Sequence, residues 1–247
     1  MKKLTIITVC FNSEQTIERC LQSVIKQLNE EIEYIIIDGK STDNTVNIIK
    51  SFNVDKKIYL ISENDNGIYD AMNKGIMLSK GEWVYFLNSD DCLKPNILNK
   101  ILNYIEKSKC DCLYGNIEEN FEFNNNIYFR EINSNKELSN LKKGMIIPHP
   151  GFFCKTNIIK RVGLFDTKFR IAADWDLVLR IYLQGYKFIY IDEVISEFYL
   201  GGACSASHNV ERHKIRKKNN LYKFLDIYYV KDIYYEYKKN ILYKKLN

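Results

Sequence analysis

Asn88-Ser89-Asp90-Asp91 directly follows the apolar run Trp83-Val84-Tyr85-Phe86-Leu87, so at least one carboxylate stands where a buried strand ends. Adjacent carboxylates repel each other unless a cation, hydrogen-bond donors or water offset the charge. Their hard oxygens suit Mg2+ or Mn2+, ions that commonly hold a substrate's phosphates. Asn, Ser and Asp are also turn formers, so the same four residues read as a polar turn closing the strand.

The elements that would carry these residues follow from apolar periodicity. Leu4 to Val9 predicts a buried strand, and Ser13-Glu14-Gln15-Thr16 opens a helix with Ile17, Cys20, Leu21, Val24 and Ile25 at helical spacing. Glu33 to Asp38 predicts a second strand that stops at Asp38-Gly39, before a helix capped by Ser41-Thr42-Asp43 and carrying Thr45, Val46, Ile49 and Phe52. Lys57 to Ile61 predicts a third strand, Ile68 to Leu78 a helix and Trp83 to Leu87 a fourth strand. Strands alternating with helices imply an α/β fold with a doubly wound, mostly parallel sheet, which binds ligands beyond the carboxyl ends of its strands. Asn12, Asp38 and Asp90 all fall at such ends. Further along, the pattern predicts a helix over Ile97 to Ile105, a strand at Cys112 to Tyr114 and a hairpin around Asn124-Asn125-Asn126. A helix over Asp174 to Tyr182 and a strand over Phe188 to Ile191 follow.

The 247 residues suffice for one large α/β domain with an appendage. Charge marks the boundary. The chain carries a net +5, yet from Lys214 onward ten basic residues face three acidic ones, so the tail is +7 and the body −2. The expected division is a domain over 1–213 and a basic, Tyr/Lys-rich extension over 214–247, with no general nucleic-acid surface. Seven cysteines without a Cys-x-x-Cys pair point to a reducing cytoplasm. Leu4 to Phe11 is too short and wrongly flanked for a signal peptide, and no stretch approaches the length of a spanning helix. A soluble or peripheral protein is expected.

Val9-Cys10-Phe11-Asn12 stands after the first strand, where a dinucleotide fold needs Gly-x-Gly-x-x-Gly. With no P-loop either, a bound diphosphate must be neutralised by a metal and side chains. Five segments, in order, then resemble the motifs of family 2 glycosyltransferases: Thr8 to Asn12, Ile37-Asp38-Gly39-x-Ser41-Thr42-Asp43, Glu63 to Gly75, Asn88 to Asp91, and Ala173-Asp174-Trp175-Asp176-Leu177. The resemblance covers about residues 3 to 205.

That resemblance implies the GT-A fold, with a nucleotide-binding half joined to an acceptor-binding half. It sets Thr8, Val9, Phe11 and Asn12 against the nucleoside, where Phe11 offers a face for a base to stack on. It makes Asp38 the acceptor of a base's ring N–H, which favours uracil or thymine and hence UDP or dTDP donors. It places Asp65, Asp70 and Lys74 at the donor, with Lys74 near the diphosphate; by spacing alone, 70 and 74 equally form an i,i+4 surface ion pair. The family's metal motif is usually Asp-x-Asp, and Asn88 occupies its first position here. The charge on an Mn2+ or Mg2+ cofactor therefore rests on Asp90, with Asn88, Ser89 and Asp91 serving the donor and His208 as a further metal ligand. Ala173-Asp174 matches a Glu-Asp pair, so the general base is Asp174, a residue type equally at home as a helix N-cap. His149 and Trp175 fall on the acceptor side.

The expectation is an inverting transferase of bacterial surface-polysaccharide type. It would move a sugar from a nucleoside diphosphate, UDP above others, to a hydroxyl of a glycan or lipid-linked oligosaccharide. A non-catalytic nucleotide-sugar or glycan binding protein is the rival, supported by the departures at Asn88 and Ala173; a nucleotidyltransferase lacks its Gly-rich first loop. Tyrosines interleaved with lysines beyond Leu221 suit the headgroups of an anionic membrane, on the inner face of the cytoplasmic membrane. The alternative is that those aromatics pack on the body or on a second copy in a homodimer.

Overall fold

The computed structural model describes residues 2–53, 57–123, 126–134, 136–199 and 209–221. The first half alternates as the periodicity predicts: β1 (Leu4–Cys10), α1 (Ile17–Ile25), β2 (Ile32–Asp38), α2 (Thr45–Phe52), β3 (Ile58–Ser62), α3 (Ile68–Leu78) and β4 (Trp83–Phe86). The second half is less regular. It holds β5 (Cys92–Leu93), α4 (Ile97–Lys107), β6 (Cys112–Phe123), β7 (Asn126–Ile132), β8 (Phe152–Lys155), α5 (Thr156–Arg161), α6 (Ala173–Leu183), β9 (Phe188–Tyr199) and α7 (Asn209–Lys218).

All nine strands form one sheet in the order β3-β2-β1-β4-β8-β6-β9-β5, with β7 paired to β6. β3, β2, β1 and β4 run parallel, as do β6 and β9; β8 enters antiparallel between β4 and β6. β1 is buried along its whole length because both faces are covered. Leu4 and Ile6 face one core with Ile17, Leu21 and Val24 of α1 and Ile97, Leu98 and Ile101 of α4. Ile7 and Val9 face the other, with Met72 and Ile76 of α3 and Leu177 and Val178 of α6. This two-sided cover is the doubly wound arrangement. Gly75 lets α3 lie against β1, since a β-carbon there would stand 2.6 Å from Ile7 Cγ2.

The 213/214 boundary falls inside α7, which packs on the body through the fully buried Ile215. The tail beyond Leu221 lies outside the described residues, as does the Gly-rich segment before α7. Among the described residues no helix is long and apolar enough to cross a membrane.

Candidate functional site

A cleft of about 660 Å3 opens beyond the carboxyl ends of β1 and β4. Val9 at the end of β1, with Phe11 and Asn12 of the β1–α1 turn, forms one wall, Asp65, Ile68 and Ala71 another, and Asn88, Ser89 and Asp90 a third, with Arg19 and Tyr199 also lining it. Six of the residues expected at the donor, Val9, Phe11, Asn12, Asp65, Asn88 and Ser89, thus share one cavity with Asp90, the expected metal ligand.

At one end of the cleft Phe11 is 60% exposed, an aromatic face held out into water. Gly39 lies against it. A β-carbon at Gly39 would stand 2.6 Å from Asp65 Oδ2 and 3.4 Å from the Phe11 ring, so the absent side chain makes room for a carboxylate beside an aromatic. Asp65 Oδ1 accepts the Gly67 N–H at 2.8 Å, which holds the other oxygen against Gly39. Asn12 adopts the left-handed backbone (φ 48°) that Asn tolerates, and its Oδ1 accepts the Thr42 N–H at 2.9 Å.

Asp38 departs from its expected place as base reader. It is fully buried. Its Oδ2 accepts the Ser41 N–H at 3.0 Å and the Ser62 hydroxyl at 2.6 Å; its Oδ1 accepts the Ser41 hydroxyl and the Cys10 thiol, the latter at 3.6 Å. Four donors fill the lone-pair sites of a carboxylate, so Asp38 ties together the ends of β1, β2 and β3 instead of facing the cleft. Thr8 is also interior: it is fully buried, its hydroxyl 3.1 Å from that of Tyr34. Lys74 donates to Asn64 O at 2.7 Å and pairs with Glu63 at 2.8 Å, while Asp70 Oδ2 accepts the Asn66 N–H at 2.9 Å. Both fasten the β3–α3 loop, and neither lines the cleft.

At the other end, burial pushes the Asp90 carboxyl above its ordinary pKa, opposed by the Arg19 guanidinium. Arg19 donates to the Asp90 carbonyl at 2.7 Å and lies 3.6 Å over the Tyr199 ring. Asp91 is fully buried behind the cleft, and burial followed by the Asp90 charge raises it well above the carboxylate range. One of its oxygens accepts the Tyr199 N–H at 3.3 Å; the other, Oδ2, has no partner, and neither does the buried Asn88 Oδ1. Two buried oxygens with nothing to accept from are costly, and an oxygen-binding divalent cation satisfies such atoms. Oxygen donors of this kind suit Mg2+ or Mn2+, although no cluster of three or more His, Cys, Asp or Glu side chains is arranged for a metal among the described residues. Ser89 anchors the turn, its hydroxyl 2.9 Å from Ser13 Oγ. His208 lies outside the described residues.

Asp174 occupies the first turn of α6, half-buried, and is not among the residues that line the cleft. The N-cap is Ala172, without a side-chain cap bond; Asp174 Oδ1 instead accepts the Trp175 N–H at 2.8 Å and the Tyr69 hydroxyl at 3.4 Å. Asp176 turns away into the interior, fully buried and held by Arg180 at 2.8 Å and Lys218 at 3.0 Å. Trp175 does not stand on the acceptor side: it is 1% exposed, and its indole N–H donates to Leu141 O at 2.8 Å. His149 stacks on Phe86 at 5.6 Å with Nε2 buried and unpartnered; burial holds its pKa below the ordinary value, against the pull of the Asp174 charge.

Residues outside the expected set complete the frame. Tyr69 donates to Ile171 O at 2.8 Å, and the Asn73 amide bonds both the Phe165 carbonyl and its N–H at 3.0 Å. Together they join α3 to the loop before α6. Their i,i+4 spacing was the available signal, since polar tips one turn apart share a helix face.

A model of glycosyl transferase family 2 matches residues 5–165. A PGL/p-HBAD biosynthesis glycosyltransferase of Mycobacterium bovis is 29% identical over 185 residues, covering 72% of this chain and 69% of its own. The UDP-Glc:alpha-D-GlcNAc-diphosphoundecaprenol beta-1,3-glucosyltransferase WfaP of Escherichia coli is 28% identical over 226 residues, 90% of this chain and 86% of its own. Among solved structures, S. aureus TarS 1-349 in complex with UDP-GlcNAc superposes with a TM-score of 0.72 at 18% identity, over 93% of this chain and 69% of that one. The fold is the GT-A fold.

Proposed function

The chain belongs to glycosyltransferase family 2, and from that premise we propose that it moves a sugar from a UDP-linked donor to a hydroxyl of a glycan or lipid-linked acceptor in surface-polysaccharide assembly, with inversion. The observation that carries this reading is the cleft itself, which sets Phe11 and Asp65 at one end and Asn88 and Asp90 at the other. UDP is supported by the relatives: TarS is bound to UDP-GlcNAc, and WfaP is named for UDP-Glc.

In this mechanism the base stacks on Phe11, and Asp65 Oδ2 accepts its ring N–H, a charge-assisted bond that uracil can supply. Asp90, with the Asn88 and Asp91 oxygens, would hold a divalent cation, which when bound would supply charge neutralisation for the departing diphosphate. Asp174 takes the proton of the acceptor hydroxyl as that oxygen attacks the anomeric carbon. The bond to the diphosphate breaks with its electron pair on the leaving oxygen, and one displacement inverts the configuration. Arg216 and Lys218 of α7 are engaged on the body, so the membrane-directed charge is that of the chain beyond Leu221, where six lysines face three acidic residues and attract the enzyme to an anionic membrane at the cytoplasmic face.

The test is a screen of UDP-, GDP- and dTDP-sugars with Mn2+, reading nucleoside diphosphate release. UDP-sugars are expected to react, and Asp174→Asn to lower turnover about 100-fold while UDP affinity holds. Release from GDP-sugars alone refutes the donor assignment; unchanged turnover in Asp174→Asn refutes the base.

A further inference from the structure

α6 begins without a capping side chain of its own, because its N-cap is Ala172. The backbone N–H groups ahead of it are nevertheless bonded. Glu211, in the first turn of α7, accepts the Arg170 N–H at 2.8 Å through Oε1 and the Ile171 and Ala172 N–H groups at 2.9 Å through Oε2. Three successive N–H groups converging on one carboxylate form an anion-binding nest. The start of α6 adds the positive end of a helix dipole, so a charged side chain is favoured there over a neutral one.

The same short loop is held from the opposite side by α3, where Tyr69 donates to Ile171 O at 2.8 Å and reaches Asp174 at 3.4 Å. α7 has anchors that do not involve Glu211. Ile215 is fully buried, and Lys218 pairs with Asp176 at 3.0 Å and Asp166 at 2.9 Å. Removing the Glu211 carboxylate therefore frees the loop while the helix stays docked.

We propose that Glu211 is the positioning residue of Asp174: its carboxylate clamps the N–H groups of 170–172 and so fixes the first turn of α6 that presents the base to the acceptor hydroxyl. The inference rests on the reading of Asp174 as base. Glu211 lies outside the donor cleft, so its loss reaches turnover and leaves nucleotide binding alone. Glutamine keeps one acceptor oxygen and serves part of the nest; alanine serves none.

The experiment uses the full chain with UDP-GlcNAc and UDP-Glc, water as acceptor and Mn2+. It reads UDP release, UDP affinity by calorimetry and amide hydrogen exchange. Glu211→Ala is expected to lower kcat about 10-fold or more, the scale of a small misplacement of a reacting group. UDP affinity stays within about twofold, and Glu211→Gln falls between wild type and Glu211→Ala. In the Asp174→Asn background Glu211→Ala adds no further loss, because it acts through the missing base. Amides 170–175 exchange faster in Glu211→Ala, those of β1 and β2 do not. Unchanged exchange at 170–175 overturns the proposal, as does loss of UDP binding in step with turnover or a multiplicative loss on the Asp174→Asn background. Full turnover in Asp174→Asn alone overturns the base reading, and the positioning role with it, whereas the exchange data still report separately whether the clamp exists.

Discussion

Replacing Gly39 with alanine adds a single carbon between Asp65 and Phe11, two residues that line the cleft. That carbon would stand 2.6 Å from Asp65 Oδ2 and 3.4 Å from Asp65 Cγ and Phe11 Cδ2. The first distance is about 0.9 Å short of a comfortable van der Waals separation. The carboxylate must swing away, pivoting on its 2.8 Å bond to the Gly67 N–H. Its free oxygen then misses the base's ring N–H, and a hydrogen bond to a charged group is worth about 1.5–3 kcal/mol. At about 1.4 kcal/mol per tenfold, UDP affinity falls about 10- to 150-fold. Stability changes by less than about 1 kcal/mol, since only the end of a flexible side chain moves and Gly39 has no left-handed backbone. Calorimetry with UDP and Mn2+, paired with urea unfolding, measures both quantities. Asp65→Ala should bind UDP no better than Gly39→Ala, and the double variant should match Asp65→Ala. Undiminished UDP binding by Gly39→Ala, or additive losses in the double variant, would refute the assignment of Asp65 as base reader.

Two further outcomes are expected. Asp90→Ala abolishes transfer and makes UDP binding indifferent to Mn2+, which calorimetry with and without the ion checks; retained Mn2+ dependence sinks the metal assignment. Gly75→Ala forces a methyl to 2.6 Å from Ile7 Cγ2 in the core, an overpacking that costs about 1–3 kcal/mol. Its melting temperature falls while the UDP affinity of the folded protein holds, and an unchanged melting temperature would show that α3 shifts freely on β1.

Legibility in the sequence followed the strength of local pattern. The α3 range, Ile68 to Leu78, agrees at both ends, and β1, β2 and β3 agree within a residue or so, because continuous apolar runs bounded by turn residues leave little choice. The strand Phe152–Lys155 carried no such mark. It is four residues long, and its place between β4 and β6 depends on partners distant in the chain. Cys112 to Tyr114 is the start of a longer strand, Cys112–Phe123, whose far end pairs antiparallel with β7 about the expected Asn-rich hairpin. In the candidate site, strand-end position was legible and partner was not. Asp38 and Asp65 both carry a carboxylate near a glycine, and only the hydroxyls of Ser41 and Ser62 decide that the first is consumed internally. Trp175 sits beside Asp174 in sequence, yet the helix turns it into the core. Glu211 gave no sign at all, since its three partners lie about forty positions earlier.

The turn bearing Asn88 to Asp91 leaves β4 in the parallel half and runs straight into β5, which forms the far edge of the sheet and pairs with β9. Asp91 adds a second tie by holding the Tyr199 N–H at the end of β9. The two halves are consequently stitched rather than plugged together. A second half grafted from a relative brings its own edge strand and resets the seat of Asp90. Acceptor preference and donor turnover are then inherited as one trait, and exchange between relatives that respects only a linear border between halves dismantles the site it means to preserve.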